Sequence, residues 1–183
     1  MKRIVSIVLL AAVSCMLFSC AYSAYKEYYY QEDYQSIWEL SGVQFASQRD
    51  TAPPLFPETI DELQVKDFLC RYDQQLPLGE GIQVCITIEY QDGEAFNAEI
   101  ERIAMLAFDG EDSFGDSGVT AYVYNLGAGF YYEYALVDED THEIKYIYIE
   151  SLPEDELEID KKYLPDNYKD YGYDVPEETD IEI

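Results

Sequence analysis

The chain of 183 residues holds 38 acidic and 11 basic side chains, a formal net charge of −27 at neutral pH. That balance excludes nucleic acid as a natural partner, because neutralising phosphates takes clustered Lys and Arg, and it disfavours adhesion of the bare surface to an anionic bilayer. The length suits one domain rather than two, and 15% aromatic residues, chiefly 19 tyrosines, supply a core whose hydroxyls can stay at its wet margin.

Lys2 and Arg3 precede an apolar run from Ile4 to Phe18. The run falls short of the roughly 20 residues that cross a bilayer. A basic start and a short apolar stretch ending in a small residue form the pattern of a secretory signal. Its end, Leu17-Phe18-Ser19-Cys20, resembles the lipobox of bacterial lipoproteins, with an aliphatic residue at −3, a small one at −1 and then cysteine. The resemblance implies diacylglyceryl transfer to the Cys20 sulfur, removal of residues 1–19 as a signal peptide and acylation of the new amine. It also implies a lipid-anchored domain outside the cytoplasm, like the small uncharacterised lipoproteins of bacterial envelopes. A second frame, Ala12-Val13-Ser14-Cys15, lacks the leucine and cuts the apolar run short, so Cys20 is the expected site. An ordinary signal peptide or an uncleaved anchor is the other reading of the same run. Each buried methylene contributes ~0.8 kcal/mol, so two or more acyl chains hold firmly where one binds marginally. Losing residues 1–19 removes Lys2 and Arg3 and no acid, which leaves 9 basic residues against 38 acidic ones, or −29. That charge suits solubility, a cationic partner or loose divalent binding.

Residues 20–34 read as a tyrosine-rich tether. Tyr22, Tyr25, Tyr28, Tyr29 and Tyr30 show no consistent period, and such rings either mark a plain linker or sit at the lipid headgroups. Tyr34, Ile37, Trp38 and Ser41 share helical spacing, which predicts a short helix over 33–40 ended near Gly42. Trp38, the one tryptophan, is expected in the core rather than as a ligand platform. Gln48 to Pro57 is a loop, since Pro53, Pro54 and Pro57 cannot donate to a ladder.

The clearest β pattern follows. Ile82, Val84, Ile86, Ile88 and Tyr90 share one face, and Gln83, Cys85, Thr87, Glu89 and Gln91 the other. Residues 66–72 form a weaker strand, joined to it as a hairpin through Asp73–Gly81. If Tyr72 opposes Gln83, Cys70 opposes Cys85, within reach of a disulfide. With Cys15 removed and Cys20 acylated, Cys70 and Cys85 are the remaining pair in an oxidising place. They are a candidate disulfide or two separate buried thiols.

Asp92 caps a helix with the apolar stripe Phe96, Ile100, Ile103 and Ala107. Glu94 complements its dipole, Glu99, Glu101 and Arg102 face out, and Gly110 is the expected end. The helix is expected to lie on the apolar face of 82–90. The loop 109–118 fails as a calcium loop: Phe114 stands where the turn glycine belongs and Thr120 where the bidentate glutamate belongs. Val119–Asn125, Phe130–Val137 and Glu143–Glu150 then read as a three-stranded meander. Residues 153–183 form an acidic, irregular tail in which Tyr163-Leu164-Pro165 is expected to clamp onto the domain; residues 151–183 hold 12 acids and 3 lysines.

The resulting expectation is a single α+β domain over 35–152, an antiparallel sheet of about five strands with one principal helix on one face. No catalytic constellation stands out. His142 is the only histidine and lies in a turn, no cofactor motif occurs, and neither a cofactor nor a metal site is expected. Tyr122, Tyr124, Tyr131 and Tyr146 would stack glycan only if their faces were open. The leading expectation is a membrane-anchored, non-enzymatic interaction or accessory protein of the cell envelope, with no nucleic-acid partner. The alternatives are a binder of carbohydrate, peptide or divalent cation, and a hydrolase using paired carboxylates.

Overall fold

A computed structural model describes residues 24–38, 52–75, 79–109, 114, 119–126, 131–152, 156–166 and 168. It contains one antiparallel sheet in which β1 (Ala24–Tyr29), β2 (Gln64–Gln75), β3 (Gly79–Glu89), β4 (Phe108–Asp109), β5 (Thr120–Leu126), β6 (Tyr131–Asp138) and β7 (Glu143–Glu150) stand in the order β1-β2-β3-β7-β6-β5-β4. The described helices are the single turn α1 (Tyr34–Ile37) and α2 (Gly93–Leu106). The fold is mixed α+β and mostly sheet. Among the described residues it has six strands of six residues or more plus the two-residue β4, against the expected five.

The hairpin, helix and meander arise where the side-chain periods place them. Ile82, Val84, Ile86 and Ile88 are fully buried on one face of β3, each worth about 1.5–3 kcal/mol of burial. Helix α2 begins where the Asp92 carboxylate accepts the Glu94 amide at 3.0 Å and buries Phe96 and Ile103 on the same face. It ends at Ala107, earlier than expected, because the chain turns extended there to pair Phe108 with Val123. Helix α1 is shorter than the predicted 33–40, with a 3₁₀ turn at Gln31–Asp33 before it.

Three features depart from the expectation. The first is β1, which occupies much of the presumed tether: Ala24–Tyr29 pairs with Gln75–Cys70 as an edge strand. Tyr28 and Tyr29 are adjacent and fall on opposite faces, which hides the alternation in composition.

The second is the hairpin register. Cys70 pairs with Val84 and Leu69 with Cys85. The strands run on to Gln75 and Gly79, so a three-residue connection, 76–78, slides the pairing by one residue. A slip of one moves every side chain to the other face. Cys70 therefore lies in the core layer shared with α1 and α2, Cys85 lies in the opposite layer, and both are free thiols. The candidate Cys70–Cys85 disulfide is excluded by this geometry.

The third is that both faces of the sheet are covered. One face packs against α1, α2 and the 52–60 segment, with Trp38, Leu55 and Phe56 in its core. The other packs against Phe114 and the C-terminal segment, including Leu152, Ile159 and Leu164. Ser151, in the left-handed region at φ 53°, turns the chain back after β7. A Cβ at Gly81 would sit 2.6 Å from Leu152 Cδ2 and 3.0 Å from the Ser151 carbonyl, so any side chain there must displace Leu152 from the second layer. Two covered faces explain why β6 is buried at every position but its last.

Candidate functional site

Each layer holds a buried polar cluster. Under the 52–60 segment, Glu133 of β6 and Glu150 of β7 point into the aromatic layer at 1% and 4% exposure. They stand on neighbouring strands and diagonally across, since Tyr131 pairs with Glu150 and Glu133 with Tyr148. The Leu55 amide donates to Glu133 Oε1 at 2.7 Å, and the Tyr148 hydroxyl donates to Glu150 Oε2 at 2.6 Å. Burial first, and then the Glu150 carboxylate, holds the Tyr148 phenol far above its ordinary value. Tyr148 also meets Trp38 edge-on at 6.0 Å and Tyr131 at 5.7 Å. Both carboxylates take protein donors.

Beside it, the Tyr146 hydroxyl donates to Glu99 Oε1 at 2.7 Å and lies 3.0 Å from the Tyr90 hydroxyl. Burial pushes the Tyr90 phenol up to about 12 and raises Tyr146 as well. Glu99 in turn pairs with Arg102 at 2.7 Å, and Arg102 Nη1 donates to the Pro54 carbonyl at 3.0 Å. Glu99 and Arg102 were expected to face solvent. Instead they fasten the 52–60 segment to α2, because the proline-rich loop leaves carbonyls there that need donors.

On the opposite face, Arg71 of β2 is 2% exposed and pairs with Asp73, 1% exposed. Arg71 also donates to the Glu156 carbonyl and lies 3.6 Å from the Glu158 carboxylate. Gln83 Oε1 accepts the Glu158 amide at 2.9 Å, and the Tyr28 hydroxyl donates to Glu158 Oε1 at 2.7 Å. These bonds tie the C-terminal segment to β1, β2 and β3. Further along, Tyr134 donates to the Tyr163 carbonyl at 2.9 Å, and the Lys145 ammonium sits 4.7 Å above the Tyr163 ring. Desolvation is the main reason that the Cys85 thiol beneath is pushed up to about 11, and it pushes the Cys70 thiol on the other face up to about 12.

The residues singled out from sequence scatter. Cys20 lies outside the described residues, as do Cys15 and most of the loop 109–118; Phe114 of that loop is buried in the second layer. Trp38 is fully buried, and Tyr131 and Tyr146 are core rings rather than a stacking platform, while Tyr122 and Tyr124 are half-buried. His142, in the turn between β6 and β7, has φ 54° and is exposed as expected, with its ring stacked on Phe96 at 4.7 Å. Among the described residues, no group of three or more His, Cys, Asp or Glu is placed to hold a metal ion, and no helix is long and apolar enough to cross a membrane. Glu133, Glu150 and Arg71 escaped notice because charged residues in strands read as outward-facing. For Glu150 the one available signal was its place two residues beyond Tyr148 on the apolar side of the period.

No protein-family model matches the chain, and neither does any curated protein or solved structure.

Proposed function

We propose that the chain is a membrane-anchored extracytoplasmic lipoprotein whose domain works as a non-enzymatic interaction or accessory module of the cell envelope. The observation that carries this reading is the sequence Leu17-Phe18-Ser19-Cys20 at the end of a basic-then-apolar start. Acyl chains on Cys20 would hold a body of charge −29 at the outer side of a bilayer without a spanning helix. The buried carboxylates fit a supporting role, since Glu133 caps the Leu55 amide and Glu150 receives the Tyr148 hydroxyl. Intact mass of the membrane-extracted protein tests the reading. A chain beginning at Cys20 and carrying a diacylglyceryl group with an amide-linked acyl chain supports it. An unmodified chain starting anywhere else overturns it.

A further inference from the structure

We infer that the β1 edge of the sheet rests on the bilayer, with Tyr28 and Tyr30 at the level of neutral phospholipid headgroups; this rests on acylation of Cys20. Strand β1 starts at Ala24. Only residues 21–23 separate it from Cys20, so the leash spans four Cα steps, about 14 Å at full stretch. A tether reaching to residue 34 would let the domain float free, whereas this one holds β1 against the surface. Among the described residues the strand so held is the outermost of the sheet, paired on one side, with β2. Tyr28 is 48% exposed and Tyr30 71% exposed along this edge. Phenol rings with an apolar body and a polar tip favour the headgroup zone.

Charge selects the lipid. Glu32 and Asp33 follow directly in the 3₁₀ turn and Glu158 bonds Tyr28, so an anionic surface would repel the edge and a zwitterionic one would not. The far edge, β4, stands six inter-strand gaps away, about 29 Å at ~4.8 Å each. Its Phe108, 59% exposed, is thereby lifted clear of the bilayer.

Headgroup quenching tests the orientation. A bimane probe is placed on full-length lipidated protein at Gln31→Cys, in the turn after β1, or at Phe108→Cys, on β4. The native thiols Cys70 and Cys85 are buried and stay unlabelled. Each protein is reconstituted into phosphatidylcholine vesicles containing headgroup-nitroxide lipid, and its mass is taken to establish acylation. The expected result is quenching several-fold stronger at 31 than at 108, reduced at 31 by Tyr30→Ser. Acylated protein with equal quenching at both positions, or stronger quenching at 108, overturns the orientation. Quenching at 31 that Tyr30→Ser leaves unchanged overturns the role of the ring. Protein lacking acyl mass overturns the anchoring itself, which is a separate failure.

Discussion

Replacing Arg71 by methionine tests how the second face of the sheet is closed. The guanidinium is 2% exposed, faces Asp73 at 1%, and reaches the Glu156 backbone across the layer. Removing one member of a buried ion pair costs about 3–5 kcal/mol, because the other charge keeps its desolvation cost without its partner. At ~2–4 °C per kcal/mol for a chain of this size, the thermal midpoint should drop by roughly 6–20 °C. A second readout locates the damage. The C-terminal segment covers Cys85, while Cys70 lies under the other layer. Native-state thiol labelling, read by peptide mass, should accelerate at Cys85 more than at Cys70. Arg71→Met with Asp73→Leu removes both charges, and should recover much of the lost stability. A midpoint within about 1 kcal/mol of the parent, with Cys85 still protected, would refute the reasoning.

Other consequences are as specific. Tyr146→Phe removes a hydroxyl that serves Glu99 and Tyr90 together, and chemical denaturation should show a loss of about 1.5–3 kcal/mol. Gly81→Val drives side-chain atoms into Leu152 and should cost about 1–3 kcal/mol by the same measurement. Protein unfolded without reductant should react with a thiol reagent at both Cys70 and Cys85, because the two face opposite layers. Alkali should unfold the domain. Cys85 at about 11, and Cys70 and Tyr90 at about 12, keep their protons in the fold. The unfolded chain releases those protons near ~8.5 for thiols and ~10 for phenols. The native state then binds more protons between those values and about 12, so stability is full at neutral pH and falls as pH rises through that window. Absorbance at the phenolate band should rise together with loss of near-ultraviolet dichroism, not before it.

The parts legible in the sequence were those with one face wet and one face dry. Strand β3 alternates along Ile82–Tyr90, and α2 repeats Phe96, Ile100 and Ile103 beneath its Asp92 cap. The meander was readable from its turns, even though β6 shows no alternation. What was hidden is local to neither strand nor helix. A three-residue connection rather than an even one decides the hairpin register, and with it the separation of Cys70 from Cys85. In residues 156–166 the contact at Tyr163-Leu164-Pro165 was legible, but the numerous acids hide that Ile159, with Leu164, Leu152 and Phe114, covers a face whose inward residues, Val123, Tyr134, Ile147 and Ile149, come from three separate strands. The buried clusters follow the same logic. Glu133 and Arg71 are polar in composition, and only long-range partners, at Leu55 and Glu156, make them interior.

The anchoring claim is tested most directly by metabolic labelling with a palmitate analogue in a bacterial host. Cys15→Ala should keep the label and the membrane fractionation of the parent, and Cys20→Ala should lose both. Label retained in Cys20→Ala, or lost in Cys15→Ala alone, would contradict acylation at Cys20.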